Sequence, residues 1–560
     1  MSSVGQAFVP ANFGSKVDVY DDAEKLTKEE YHGEPLTWKD MYTKRHFGLP
    51  LQYLLIGIVY GGAIAVIYPV LQLNLDSPAN VLNTANVFVI LGYNIKFLYG
   101  FTSDSYPIFG QRRRPYVLIG WIGCLLATIG CACMCLFGKQ KEACYISEPD
   151  YQIIVPNATN PNICAEQGLK VYKTPEFSPF MFTLLLLFQN LTYMIADVAS
   201  DSLSIEWAKR EPEESRGQIQ SNNYVFRMVG FVISNFVLGF GLNYKAYGGP
   251  WESGLSLGGY YIIVSCLILV SLPFFYWIED ETVSKVDTPS LGTQFGSVRS
   301  LFSMKAYAAL ILFSFIWNMT SCVMPEGQTL VSGTWVNLTP LVSALNKAFG
   351  NFLQGLALYL AGRFFRGFNW RKLTVATIIF VVISFCLYIP MAYGYLRSPL
   401  FYIFVSSDTS FVQNINYMVS LWATNEIAPY GLEGTTYALV TSIGNVAQSL
   451  SQAFITNMVG KIWPSQANLE GANVAQDFML NTVVVCLIMF CGAFALPLLP
   501  SQKANARYRR DNWGLNKTMG DIALSVVAFL CAWCLFITFM GMSCPGYWLY
   551  GGPGDSCDST

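Results

Sequence analysis

Runs of about 20 mostly apolar residues recur from near Leu49 to about residue 540, and each is long enough to cross a bilayer as a helix. Inside lipid every backbone polar group must be satisfied within the protein, so a chain of this pattern folds as packed helices. Charged residues make up 12% of the 560, where a soluble domain carries about 25%. The two histidines, His32 and His46, precede the first run, which excludes a histidine-ligated metal site within the membrane. No cofactor is expected. An intramembrane enzyme would need a nucleophile with a base, or metal ligands, and no histidine lies in any span. The net charge of -2 gives no sign of a nucleic-acid partner. No cleavable signal peptide is expected, because a long charged leader precedes the first run.

The runs divide into two sets of six. The first set spans roughly 50–71, 84–101, 116–137, 179–207, 218–242 and 258–278. The second spans roughly 306–325, 339–361, 373–393, 401–424, 435–459 and 479–499. Six spans, a linker and six more form a parallel-repeat transporter plan. We therefore expect a polar cytoplasmic leader (1–48), a six-helix bundle (49–278), a cytoplasmic linker (279–305), a second six-helix bundle (306–500) and a C-terminal part (501–560). That last part holds a basic segment, an extra thirteenth span near 521–540 and an external cysteine-containing tail. Lys and Arg concentrate on the side this plan makes cytoplasmic, which also puts the N-terminus inside. Four cysteines outside the spans, Cys144, Cys164, Cys544 and Cys557, all fall on the external side. There Cys144–Cys164 and Cys544–Cys557 are candidate disulfides, and Asn157 is a candidate glycosylation site.

Ionisable side chains deep in the spans cost about 2.5–3.5 kcal/mol each, so they point to mechanism. Lys96 lies in the second span, Asp197 and Asp201 share a face of the fourth, Arg227 lies in the fifth and Lys347 in the eighth. Asp197 and Arg227 fall at similar depth, so they can pair. Two readings stand. One is a permanent ion pair holding two helices together. The other has the carboxylates taking up protons in turn while the cations meet an anionic substrate. Three cations against two acids favour an anionic substrate over a neutral sugar.

Between the second and third spans stand Gly100, Asp104, Gly110, Arg112, Arg113, Arg114 and Pro115. This acid-plus-arginine loop resembles the loop between helices 2 and 3 of the major facilitator superfamily. Its Arg-Arg-Arg-Pro ending is similar to two branches, the folate-biopterin transporters and the sucrose-proton symporters. Further residues resemble the folate-biopterin branch: Glu433, Gly434 and Thr435 followed by Tyr437, Ala438 and Leu439; Lys96 before Leu98, Tyr99 and Gly100; Asp197 with Asp201; and Arg210 to Pro212, then Arg216, Gly217 and Gln220. The resemblance covers roughly residues 50–500. It implies an all-α membrane protein with the major facilitator 6+6 helix bundle, transporting by alternating access. Asp104 and Arg112 to Arg114 would gate, either by latching neighbouring helices or, on the simpler reading, by anchoring lipid headgroups.

The expected function is a secondary, proton-coupled transporter of folate- or pterin-type organic anions. Lys96, Asp197, Asp201, Arg227 and Lys347 are its substrate and coupling residues. Its partners are the substrate, protons and the lipid bilayer, and it acts as a monomer in the plasma membrane. A sugar-proton symporter and a non-transporting nutrient receptor are the alternatives.

Overall fold

The computed structural model describes residues 35–75, 79–146, 152–154, 163–247, 249–279, 291–323, 331, 335–336, 340–429, 432–451 and 473–543. Cys544, Cys557 and Asn157 lie outside the described residues. Seven described helices are long and apolar enough to cross a membrane, among them Gly48–Leu71, Arg114–Phe137 and Pro179–Lys209.

The first half contains α1 (Gly48–Ala65), α2 (Ala79–Asn94), α3 (Lys96–Ser105), α4 (Arg114–Phe137), α5 (Pro179–Lys209), α6 (Gln218–Gly241) and α7 (Leu257–Ser271). The second span is longer than its apolar run and is interrupted at Ile95, which leaves helical geometry between α2 and α3. Lys96 opens the second piece. The expected linker contains helix α8 (Leu291–Ser303).

The second half continues with α9 (Lys305–Ser321), α10 (Pro340–Leu360), α11 (Trp370–Cys386), α12 (Pro399–Ile427), α13 (Glu433–Leu450) and α14 (Val474–Gly492). Beyond it lie a short helix, α15 (Lys503–Asn512), and a 27-residue helix, α16 (Lys517–Ser543). Arg299 of α8 pairs with Asp521 of α16, Nε to Oδ1 at 2.6 Å.

Small residues press helices together. A Cβ on Gly57 would sit 2.0 Å from the Arg227 carbonyl, and one on Gly230 would sit 2.2 Å from the Leu54 carbonyl. α1 and α6 therefore meet backbone to backbone, a close approach that small residues permit. α6 also runs along α10 of the other half: Gly239 meets Ala344, Gly355 meets Met228 and, just past the end of α10, Gly362 meets Ser221.

The polar stretch after α4 forms a three-stranded antiparallel sheet, order β2-β1-β3, from β1 (Lys139–Ile146), β2 (Gln152–Ile154) and β3 (Tyr172–Glu176). Cys144 on β1 and Cys164 lie sulfur to sulfur, with Cα atoms 5.8 Å apart. Tyr172 donates to Glu252, at 2.9 Å, and so ties the sheet to the segment before α7.

Candidate functional site

Four of the five deep charges come together. Lys96 Nζ lies 2.5 Å from Asp201 Oδ2 and 2.8 Å from Asp197 Oδ2. Arg227 Nη2 lies 2.9 Å from Asp197 Oδ1. All four side chains are buried. The interruption at Ile95 puts Lys96 at the first turn of α3, facing the i, i+4 pair of α5. Two cations meet two carboxylates, so the cluster is self-neutral.

The two acids are held differently. Asp201 accepts hydrogen bonds from Lys96, from Tyr53 at 2.7 Å and from Tyr224 at 3.1 Å. Asp197 takes no aligned hydrogen bond among the described residues and is held by charge, from Lys96 and Arg227.

Tyrosines carry the cluster across to the second half. The Tyr224 hydroxyl meets those of Tyr417, at 3.0 Å, and Tyr437, while Tyr417 and Tyr437 lie 3.2 Å apart. Arg227 donates to Tyr93 at 2.9 Å, and Lys96 lies over the rings of Tyr93 and Tyr437. Sequence reasoning did not single out Tyr53, Tyr93, Tyr224 and Tyr417. With 32 tyrosines in the chain, composition marks none of them.

Lys347 does not join the cluster. It stands on α10 opposite the exposed Phe352, Leu356 and Tyr359, on the polar face shared with Ser343, Asn351 and Gln354. Lys347 keeps an exposed surface on this face. Among the described residues it has no ion-pair or hydrogen-bond partner. Neighbouring Asn346 Oδ1 accepts from Ser406 at 2.8 Å and Ser407 at 3.0 Å, which fixes α10 against α12.

The sequence-level charge count needs correction. Asp408 of α12 is also buried within a span, so three acids stand against three cations. An excess of positive charge therefore gives no argument for an anion. What remains is local: among the described residues Lys347 has no partner, whereas Lys96 and Arg227 are satisfied.

The loop residues form a connected set at one end of the bundle. Arg113 is fully buried; its Nη2 reaches Asp104 Oδ1 and Glu206 Oε1, both at 2.6 Å, and its Nη1 donates to Ser103 at 2.8 Å. Asp104 Oδ2 accepts from the Thr435 amide and hydroxyl, each at 2.6 Å. A carboxylate from the first half thus caps the N-terminus of α13 in the second, where unpaired amides and the helix dipole favour an anion. Gly434 makes room for it, since a Cβ there would sit 2.8 Å from Asp104 Oδ1. Lys209 pairs with Glu433 at 3.0 Å across the same seam. Arg112 and Arg114 take no part in this cap. Arg114 lies over the rings of Phe275 and Tyr276, and Arg112 is half-buried.

α15 spans the seam at the same end. Arg507 Nη2 meets Glu213 of the first half at 2.5 Å, and its Nε meets Glu426 of the second at 3.0 Å. Lys503 donates to the carbonyls of Glu213 and Arg216. In the α5–α6 turn, burial pushes the Glu211 carboxyl up to about 8, although the amides of Gly217 and Ile219 donate to it at 2.7 and 3.1 Å.

No group of three or more metal-ligating side chains occurs among the described residues. Two helical halves, buried charges at their interface and an acid–arginine seam at one end define a transporter of the major facilitator type. The crystal structure of a D-xylose-proton symporter superposes with a TM-score of 0.52 at 15% identity, over 82% of this chain and 98% of that one. An inward-open xylose transporter from E. coli gives a TM-score of 0.51 at 14% identity, over 84% and 99%.

The chain belongs to the BT1 family, whose model matches residues 64–147 and 172–500. It is similar to "Folate transporter 1" of Plasmodium falciparum, with 23% identity over 445 residues, 77% of this chain and 75% of the relative. It is also similar to a "Folate-biopterin transporter" of Synechocystis, with 24% identity over 370 residues, 64% and 63% of the two chains. It is a multi-pass membrane transporter and not an enzyme.

Proposed function

We propose that this transporter carries folate- or pterin-type organic anions by alternating access, driven by protons. The carrying observation is Lys347, an ammonium on the inward face of α10 without a counter-ion among the described residues. An unpaired charge within a membrane protein is costly, and a substrate carboxylate supplies its partner. The names of the relatives support this substrate class.

The Lys96–Asp197–Asp201–Arg227 cluster then acts as a fastener between states. Asp197 exchanges its cations most readily, because no aligned hydrogen bond holds it. Asp104 and Arg113 latch the end carrying the arginine loop, which the charge pattern makes cytoplasmic. The conformation is closed at that end. The three-stranded sheet lies outside on this reading, where Cys144 and Cys164 would be oxidised. α16 is the thirteenth span, and the carrier works as a monomer in the plasma membrane.

Uptake into proteoliposomes with an inward proton gradient tests the reading. Labelled folate or biopterin should accumulate, unlabelled folate should compete and sucrose should not. Accumulation of labelled sucrose without competition by folate would overturn it.

A further inference from the structure

Asp408 lies apart from the charge cluster. It stands nine residues beyond Pro399 in α12, about 14 Å along the helix axis. Only 7% of it is exposed. It is two residues, about 200° of helix turn, from both Ser406 and Ser410, so it faces away from α10. Val405 and Val412 of its own helix, Val381 and Phe385 of α11, and Tyr388 belong to the apolar cluster on that side.

Ser384 of α11 and the Thr409 amide stand beside the carboxyl, and Asp408 Oδ1 has no hydrogen-bond partner among the described residues. The titratable group that interacts with the carboxyl is the phenol of Tyr388, which in turn lies near Tyr402. No described Lys or Arg pairs with it. An ionised carboxylate in such a place costs several kcal/mol, and a bound proton removes that cost. A hard metal cation is a poor occupant, because it requires about six or more oxygen ligands. Asp197 and Asp201 differ, because two cations already balance them.

We propose that Asp408 is a proton-binding site, loaded in the closed state, whose proton travels with the anion bound at Lys347. This rests on the carrier reading above and adds a site outside its cluster. α12 links the two positions: Ser406 and Ser407, next to Asp408, bond Asn346, the residue before Lys347. With Asp408 protonated, the uncompensated charge of Lys347 attracts an anion. When Asp408 releases its proton, the change on α12 reaches the anion site through the Ser406 and Ser407 bonds to Asn346 and weakens that attraction. One proton and one negative charge therefore enter and leave together.

The test compares wild-type protein with Asp408→Asn, a near-isosteric stand-in for the protonated acid, in proteoliposomes. Labelled folate is the probe, under a gradient of one pH unit. Each co-transported proton multiplies accumulation about tenfold per pH unit, because that gradient is worth about 1.4 kcal/mol. The variant should lose about tenfold in proton-driven accumulation while keeping folate counterflow within about twofold. Unchanged accumulation, or loss of counterflow as well, overturns the proposal.

A second readout needs no substrate. The infrared carbonyl band of a protonated carboxylic acid should be present in purified wild-type protein and weakened in Asp408→Asn. An unchanged band also overturns the proposal. If wild-type protein moves no folate but its band falls in the variant, the substrate reading fails and the proton site stands.

Discussion

Lys96 and Asp201 meet at 2.5 Å, Nζ to Oδ2, although 105 residues separate them in the chain. Both are buried, and Lys96 is the cation paired with Asp201, so removing Lys96 leaves that carboxylate without its ion-pair partner. Breaking a buried pair in this way costs about 3–5 kcal/mol. Lys96→Ala should therefore strongly lower stability, read as the midpoint of unfolding in a mixed-micelle denaturant titration. Lys96→Met combined with Asp201→Asn removes both charges and should recover part of the loss. If the double variant is as unstable as the single, the pair is not what holds α3 to α5.

The Asp104 cap makes a separate prediction. Asp104→Ala removes two hydrogen bonds to Thr435 and one of the two carboxylates that hold Arg113. Hydrogen bonds to charged groups are worth about 1.5–3 kcal/mol each, enough to shift a closed–open balance at least tenfold. A thiol placed at Ser202, which packs against Gly434, should then react at least tenfold faster with a maleimide applied from the arginine-loop side.

Lys347 should behave in the opposite way to Lys96. It has no described partner, so Lys347→Gln should leave the unfolding midpoint nearly unchanged. A lost charge-assisted contact to the substrate should raise the KM for folate about tenfold or more. Unchanged KM would remove Lys347 from the binding site.

Glu211 gives a pH dependence with a definite sign. Burial raises its folded-state value to about 8, against about 4.5 for an ordinary glutamate. The folded protein therefore holds a proton that the unfolded chain has released between those values. The resulting stability is complete below about 4.5 and is lost as the pH rises towards about 8. The unfolding midpoint should fall over that range, and Glu211→Gln should flatten the slope.

The twelve-span plan was readable because lipid forces apolar residues into long runs, and little else makes such runs. The pairing of Asp197 with Arg227 was also readable, from equal depth on adjacent helices. Other features carry weaker signals. The sheet after α4 was missed because residues 139–178 are polar and lack a clear alternating pattern. The interruption at Ile95 has no proline or glycine beside it to announce it. The tyrosine bridge depends on which hydroxyls converge from three helices, which only tertiary structure decides. Asp408 is different: an acid in the apolar run 401–424 is as plain in the sequence as Asp197.

Arg507 holds Glu213 and Glu426 at once, so a helix that follows the last span of the second half reaches back to the first. The region past residue 500 is therefore a working part and a poor place to cut. A protein shortened there would keep every deep charge yet lose a restraint on the mouth at the arginine-loop end, and should leak or cycle abnormally. Purification handles and fluorescent fusions belong beyond α16, where they leave this crosspiece intact.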